Sequence, residues 1–170
     1  MYEVFARDAE RASRFARGMQ IFNEHPQFDI FYVTDHYDWE ALGQAQFVDV
    51  GGSRGHVSLA LVKRFNRLSL IVQDMERVVE NLTPPEDLQE RVKLIPHDFF
   101  SPQPVQGADV YYLRWILHNW ADKFAMLILC APIPALKPGA WVILQETLIP
   151  EPGEVALWKE RNLRCVRKHS

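Results

Sequence analysis

The sequence predicts an α/β protein built around a doubly wound parallel sheet. Two observations favour this fold class. Apolar segments recur along the chain at 45–50, 67–74, 91–96, 108–115 and 140–147, and stretches with helical character lie between them. Several of these segments are rich in Val, Ile and Leu with few charges, which is typical of strands buried on both faces of a parallel sheet. Strands that alternate with helices indicate βαβ units.

The helices are predicted from apolar spacing and from the residues that end them. The first, over residues 2–23, has apolar side chains at helical spacing with Arg and Glu between them. Residues 1–44 are therefore predicted to form an N-terminal helix and a connection, and residues 45–170 the core. Within the core we expect helices over 56–65, 76–81 and 122–131, the last cut short by Pro132 and Pro134. A final helix is expected from Glu154 to about Arg167.

Composition sets limits on the class of protein. A chain of 170 residues with 48% hydrophobic residues fits one domain with a sizeable core. The net charge of −3 gives no electrostatic reason to bind nucleic acid or an anionic membrane. No apolar run reaches the roughly 18 residues that would span a bilayer. The two cysteines, Cys130 and Cys165, form no CxxC pair, so we expect reduced thiols, a cytoplasmic protein and no metal.

The most informative motif is the stretch FVDVGGSRGHVSLAL at 47–61. A predicted strand ends at Val50, a turn containing Gly51, Gly52 and Gly55 follows, and a helix begins. Glycine is needed where the backbone turns sharply or approaches a ligand closely, and the helix N-terminus offers unpaired N–H groups. The turn does not fit the GxGxxG spacing that accommodates a pyrophosphate, which favours a nucleoside cofactor without one.

Acidic residues end the next two predicted strands. Asp74 closes the second strand 19 residues after Gly55 (74 − 55), where an acid can accept hydrogen bonds from both ribose hydroxyls. Asp98 follows the third strand, where a carboxylate could face an adenine amino group. Glycines in βα turns and acids at strand ends are also ordinary features of α/β folds. The three acids Asp49, Asp74 and Asp98 at successive strand ends favour the nucleotide-type site over that interpretation.

Together with the segments LRWILHNWADK at 113–123 and QETLIPEPGE at 145–154, the glycine turn makes the chain resemble the class I S-adenosylmethionine-dependent O-methyltransferases. The resemblance is to the plant caffeate and flavonoid type and especially to its fungal secondary-metabolism relatives, and it runs from about Arg14 to Arg164. It implies a Rossmann-like methyltransferase core with strand order 3-2-1-4-5. The first strand would then be central, because the crossovers reverse direction beside it.

The resemblance also assigns the residues of a cofactor site for S-adenosylmethionine. Gly51, Gly52 and Gly55 match the loop around the methionine part of the cofactor, and Ser53 takes a position that is often glycine. Asp74 matches the ribose-binding acid. The remaining matches are Asp98 and Phe99 around adenine, and Arg114 where plant members carry a cofactor-contacting Lys, although Arg does not reproduce every hydrogen bond of Lys.

The catalytic assignment follows from the same resemblance. His118 matches the general base that takes a proton from a hydroxyl, a role that suits an imidazole. A lone histidine is more often structural, and only the matched motif reverses this expectation. Glu146 either orients His118, as the family's carboxylate does, or is an ordinary solvated strand end. We expect Trp115, Trp120 and Trp141 to be packing residues rather than an acceptor cage; Asn119, beside the base, replaces a usual Asp.

Family members are roughly twice as long. They are usually homodimers, and the helical domain that forms the dimer and closes the acceptor pocket has no counterpart here. The family's last two strands are also absent. We therefore expect a chain truncated at both ends, with an exposed fifth strand and little activity alone.

Three hypotheses stay open at this point. The first is O-methylation of a phenolic or enolic hydroxyl on a small secondary metabolite. The second is a non-catalytic or partner-dependent relative, and the third is reuse of the fold for a cyclising or pericyclic step. The presence of His118 and Glu146 favours the first, and the missing segments favour the second.

Overall fold

A computed structural model describes residues 29–146 and 151–157. Close contacts divide the chain into two compact units, Met1–Asp38 and Trp39–Ser170. The described part of the first unit contains one helical turn, α1 (Phe31–Thr34). The helix predicted over residues 2–23 lies outside the described residues. The second unit begins six residues before the predicted boundary at 45, because Trp39 is buried edge-on against Phe47 at 5.6 Å between ring centroids.

The described part of the second unit contains five parallel strands. They are β1 (Ala45–Val50), β2 (Leu68–Asp74), β3 (Val92–Pro96), β4 (Val110–Arg114) and β5 (Trp141–Gln145). Their order in the sheet is β3-β2-β1-β4-β5, with all four pairings parallel. The predicted fold class and strand order are thus confirmed. β1 is central, and each predicted strand agrees with its observed counterpart to within two residues at each end.

Helices cover both faces of this sheet, as a doubly wound fold requires. The α-helices that lie wholly within the described part of this unit are α2 (His56–Arg64), α3 (Glu76–Val79) and α4 (Asp122–Cys130). α2 lies on the face of Asp49, whose carboxylate accepts a hydrogen bond from Ser58. α4 lies on the opposite face, where Ile128 packs with Val48 and Val50, since alternate residues of a strand point to opposite faces. None of the helices in the described part is long and apolar enough to cross a membrane.

Two expectations about the end of the chain change. The final helix was expected to begin at Glu154. Residues 154–156 are not helical, and Leu157 is the only described residue of the expected helix that is helical. The reason is a turn at Pro152 and Gly153: Gly153 has a φ of +91°, and the Glu154 N–H donates to the Glu151 carbonyl. Residues 158–167 of that prediction lie outside the described residues. Trp141, expected to pack in the sheet, is 45% exposed.

The turn after β1 depends on glycine for steric reasons. Gly51 and Gly55 have φ angles of +72° and +71°, in the left-handed region that side chains disfavour. A Cβ on Gly55 would lie 2.9 Å from Val72 Cγ2, and a Cβ on Gly52 would lie 2.5 Å from the Asp49 carboxyl carbon. The first strand and its neighbours therefore leave space for backbone alone at these positions.

Asp49 is a buried acid beneath this turn. Its side chain is 2% exposed, and Ser58 Oγ donates to its Oδ2 at 2.7 Å. Burial raises the pKa of Asp49 to about 6, although the Ser58 hydrogen bond and the charge of Arg114 oppose the rise and the charge of Asp74 adds to it. The ionised form is therefore disfavoured in the folded protein relative to the unfolded chain.

We predict that Gly55→Ala lowers the free energy of unfolding more than Gly107→Ala does. Both glycines have similar left-handed φ angles, +71° and +68°, so both substitutions cost about 1–2 kcal/mol in backbone conformation. Only Gly55 has a neighbour in the way, because a Cβ on Gly107 meets nothing within 4 Å. Urea unfolding of the two variants measures the difference, and equal losses would contradict the steric account of the turn.

We predict that Asp49→Asn becomes more stable than the wild type as pH rises. Below about pH 3 the acid is protonated in both folded and unfolded chains; above the folded pKa of about 6 the folded wild type carries the full penalty. The shift corresponds to at most about 3 kcal/mol in favour of the variant. Urea unfolding at a series of pH values measures the difference.

Asp109→Asn is the matched control. Partial burial of Asp109 acts to raise its pKa, but hydrogen bonds from Lys137 and the Gln46 N–H, and the Lys137 charge, hold it below the ordinary value. Ionised Asp109 stabilises the fold. The stability difference between Asp109→Asn and the wild type therefore reaches its full size by about pH 5 and does not change above it. A stability difference for Asp49→Asn that is equally flat from about pH 4 to 8 would contradict the buried-acid interpretation.

Candidate functional site

The glycine turn is fastened to the end of β2. The N–H groups of Gly51 and Gly52 both donate to the Gln73 carbonyl oxygen, at 2.8 and 3.0 Å. The Ser53 N–H donates to Asp74 Oδ2 at 2.9 Å. Ser53 has a φ of +54°, an uncommon conformation for a residue other than glycine, and the hydrogen bond to Asp74 helps to hold it. The predicted loop and the predicted ribose-side acid are therefore in direct contact.

Asp74 is a half-buried carboxylate at the end of β2. Its Oδ1 accepts a hydrogen bond from the Met75 N–H at 2.8 Å. Burial raises the pKa of Asp74, against the opposing effects of the Met75 and Ser53 hydrogen bonds and the Arg77 charge. An ionised carboxylate has about four acceptor sites, so the two backbone donors leave acceptor capacity on both oxygens. That capacity is what a vicinal diol such as ribose needs.

Asp98 and Phe99 follow β3, and Phe99 lies next to the glycine turn. Asp98 Oδ1 accepts a hydrogen bond from the Phe100 N–H at 3.0 Å. Phe99 is half-buried, with its ring edge-on to Trp120 at 5.9 Å. A Cβ on Gly51 would lie 3.7 Å from Phe99 Cδ1 and 2.6 Å from Ile116 Cδ1. The glycine turn, the segment after β3 and the segment after β4 therefore meet at Gly51.

The segment after β4 turns abruptly. Trp115 has a φ of +55°, and a short 3-10 helix, Leu117–Asn119, follows it. The Trp115 N–H donates to the Gln145 carbonyl at 2.9 Å, and Asn119 Nδ2 donates to the Trp115 carbonyl at 3.2 Å. These bonds hold a left-handed residue that would otherwise be strained. The turn carries His118 to the carboxyl edge of the sheet.

One carboxylate, that of Glu146, organises this turn. Its Oε1 accepts hydrogen bonds from the N–H groups of Ile116 and Leu117, at 2.9 and 2.7 Å. Its Oε2 lies 2.6 Å from Nδ1 of His118. An ionised carboxylate can only accept hydrogen bonds, so Nδ1 carries the proton and Nε2 of a neutral ring keeps its lone pair. The two side chains are partly exposed, 24% for His118 and 18% for Glu146.

Arg114 lies at the end of β4 between two neighbours. Its guanidinium carbon is 4.0 Å from the centroid of the Trp115 ring, and its Nη1 is 3.3 Å from Nε2 of His56. Because Arg can only donate, His56 Nε2 is the acceptor in this contact. Burial lowers the pKa of Arg114, while the Tyr112 hydroxyl and Asp49 act to raise it. A direct cofactor contact by Arg114 stays a prediction.

Sequence analysis predicted that the glycine turn and the segments after the other strands meet at one edge of the sheet, but it did not identify several contacts between them. The Gln73 carbonyl, the Asn119 side chain and the two N–H groups bound by Glu146 were not identified. Gln73 lies in the strand LSLIVQD, but its contact with the glycine turn is made by the backbone carbonyl, which leaves no sequence signal. The backbone contacts of Glu146 left no signal, because any residue supplies an N–H group.

The chain matches the family model of the O-methyltransferase domain over residues 1–164. It is 41% identical over 170 residues to a chlorophenol O-methyltransferase of Trichoderma longibrachiatum. That alignment covers 96% of this chain and 36% of the relative. The chain thus spans a little over a third of the length of this curated relative.

Two solved structures have a similar fold. One is the neocarzinostatin biosynthesis O-methyltransferase NcsB1 with S-adenosyl-L-homocysteine and 1,4-dihydroxy-2-naphthoic acid, at a TM-score of 0.76 and 28% identity over 98% of this chain and 49% of that one. The other is described as a pericyclic reaction enzyme, at a TM-score of 0.66 and 27% identity over 95% and 43%. The family match covers nearly the whole sequence, and the chain belongs to the O-methyltransferase domain family.

Proposed function

We propose that this chain binds S-adenosylmethionine and forms part of an enzyme that methylates a phenolic or enolic hydroxyl of a small molecule. The observation that carries the proposal is the histidine His118, held by Glu146 so that its Nε2 lone pair is available. Its turn packs against the glycine turn at Gly51. A base and a nucleoside-type site therefore lie at one edge of the sheet.

The residues on the first three strand ends fit the proposed cofactor. The glycine turn would take the methionine part: a Cβ on Gly51 or Gly52 would clash with Ile116 or Asp49, so the turn keeps this conformation only with glycine. Asp74 retains acceptor capacity for the ribose hydroxyls, and Asp98 with Phe99 would take the adenine. Two solved relatives, at 32% and 28% identity, contain S-adenosylmethionine or its demethylated product, which supports the same ligand here.

His118 would act as the general base. A phenol that keeps its hydroxyl proton is a poor nucleophile. Nε2 of the neutral imidazole would accept this proton as the phenol oxygen attacks the methyl group. Glu146 keeps the proton on Nδ1 and stabilises the imidazolium that forms. When bound, S-adenosylmethionine supplies an electrophilic methyl group, whose bond to sulfur breaks as the bond to oxygen forms. The transferred proton then remains on Nε2 until it passes to solvent.

The hydroxyl acceptor is assigned by the chemistry of the base. A histidine suffices for a phenol or enol, whose proton is far more acidic than that of an alkyl alcohol. Three curated relatives that match this chain are named as O-methyltransferases, and His118 with Glu146 would supply the group that such a reaction uses. A pericyclic step needs no proton acceptor of this kind, so the proposal favours methyl transfer.

We predict that the wild-type chain binds S-adenosylhomocysteine and that Asp74→Ala weakens this binding about 30- to 1000-fold. The charged acceptor of two ribose hydrogen bonds is lost, together with the Ser53 contact that holds the glycine turn. Calorimetric titration measures the affinity. The control is Asp87→Ala, which removes an exposed carboxylate in the turn before β3 and should leave affinity unchanged. Affinity equal in all three proteins would refute the assignment of Asp74.

We predict that His118→Gln lowers methyl transfer at neutral pH by about 10²- to 10⁴-fold. The defect should shrink at high pH, where the acceptor hydroxyl ionises without help. Turnover of a panel of phenolic acceptors across pH measures the effect, and an unchanged affinity for S-adenosylhomocysteine shows that the cofactor site has formed. A defect of the same size at every pH would mean that His118 positions the acceptor and is not the base.

A further inference from the structure

Two glutamine side chains form a reciprocal pair inside the protein. Gln73 Nε2 donates to Gln103 Oε1 at 2.7 Å, and Gln103 Nε2 donates to Gln73 Oε1 at 2.9 Å. Gln73 is completely buried and Gln103 is 3% exposed. Gln73 lies in β2 on the same face as Ile71, which belongs to the apolar core. A pair of amides in such surroundings calls for an explanation, since polar groups are expensive to bury.

Gln103 anchors the loop between β3 and β4 at several points. Its N–H donates to the carbonyl of Ala131, just after α4, at 3.1 Å. Its Oε1 also accepts a hydrogen bond from the Val105 N–H at 3.1 Å, and its carbonyl accepts one from Gln106 Nε2 at 2.8 Å. The loop that begins with Asp98 and Phe99 is thus fixed to β2 by a side chain and to the end of α4 by the backbone.

Gln73 links the other parts of the candidate cofactor site. Its carbonyl accepts the N–H groups of Gly51 and Gly52. The next residue is Asp74, whose carbonyl accepts the His97 N–H at 2.9 Å. One residue therefore contacts the glycine turn through its backbone and the loop after β3 through its side chain, and it lies beside the ribose-side acid.

Stability alone does not account for the pair. A buried amide hydrogen bond contributes little net stability, and replacing both partners with apolar groups of similar shape can be nearly neutral. Buried polar pairs instead select one arrangement, because any shift leaves an amide without its partner. The arrangement selected here is the spacing between β2 and the loop after β3.

We propose that the buried amide pair of Gln73 and Gln103 is a positioning element for the nucleoside. It sets the distance between Asp74 and the segment of Asp98 and Phe99. The inference deepens the proposed function and rests on it. Ribose and adenine are joined by one bond, so their separation is fixed and the groups that bind them must match it. A mismatch of about 1 Å is enough to weaken such a site considerably.

The test is a double-mutant cycle with Gln73→Met, Gln103→Met and the double variant. Methionine has the length of glutamine and no amide. Each single variant leaves one buried amide without its partner and should lower the melting temperature. The double variant should recover part of that loss; the Val105 N–H still lacks the acceptor that Gln103 Oε1 provides. The affinity of the double variant for S-adenosylhomocysteine should nevertheless stay about tenfold or more below that of the wild type, and 5′-methylthioadenosine should show the same factor, since both carry the nucleoside.

Gln106→Met is the matched control. It removes the hydrogen bond that the exposed Gln106 side chain donates to the Gln103 carbonyl, and it should leave the affinity for S-adenosylhomocysteine unchanged. A double variant that binds within about threefold of the wild type would overturn the inference. A wild-type chain that binds neither probe would refute the proposed function itself, so the two failures are distinguishable.

If the double variant does not fold, Gln103→Asn tests the same claim by shortening one side chain of the pair while keeping its amide. Unchanged affinity in that folded variant would also overturn the inference.

Discussion

Parallel pairing of β1 with both β2 and β4 brings the carboxyl ends of these strands to one edge of the sheet. The segment that follows β1 crosses one face of the sheet, and the segment that follows β4 crosses the other. α2 covers the first face and α4 the second. In open α/β sheets the usual ligand position lies where the direction of the connections reverses. The glycine turn, Asp74 and the turn with His118 follow the ends of β1, β2 and β4, and Asp98 follows the neighbouring β3. Their proximity is a consequence of strand order before any side-chain contact is considered.

Within that frame, backbone hydrogen bonds fix the individual segments. The Gln73 carbonyl holds the glycine turn, and the Glu146 carboxylate holds the turn after β4 through two N–H groups. Both contacts bind the backbone at the place where it leaves regular structure. The same turns contain left-handed Ser53 and Trp115. Asp74 binds the first, and Gln145 and Asn119 bind the second; these conformations cost free energy without such support. The site is therefore built from strained turns that neighbouring strands keep in place.

The strand order was predicted from the family resemblance, and the roles of Asp74 and Asp98 were expected from their places at strand ends together with that resemblance; these roles stay predictions. The parallel sheet itself could be predicted from apolar segments that alternate with helices. The amide pair of Gln73 and Gln103 could not, because the two residues are 30 positions apart and their contact depends on how a loop packs. The start of the final helix at Glu154 was wrong because the turn at Gly153 extends past it.

Glu146 shows the same division between position and contact. Its position after β5 was clear from the sequence, and two roles remained open for it. The structure adds that one oxygen binds the turn and the other meets His118. A carboxylate in this arrangement does two things at once: it fixes where the histidine lies and which ring nitrogen carries the proton. The second effect determines whether His118 can accept a proton from an acceptor hydroxyl.

The most direct test of this account is the tautomer of His118, measured by ¹⁵N NMR of the imidazole in the full chain. At about pH 8 an ordinary histidine is neutral, and its two nitrogens have distinct shifts. The account predicts a proton on Nδ1 and an unprotonated Nε2, with this preference lost in Glu146→Gln. A wild-type His118 that carries its proton on Nε2 would contradict the account, because the nitrogen assigned as the base would then have no lone pair to offer.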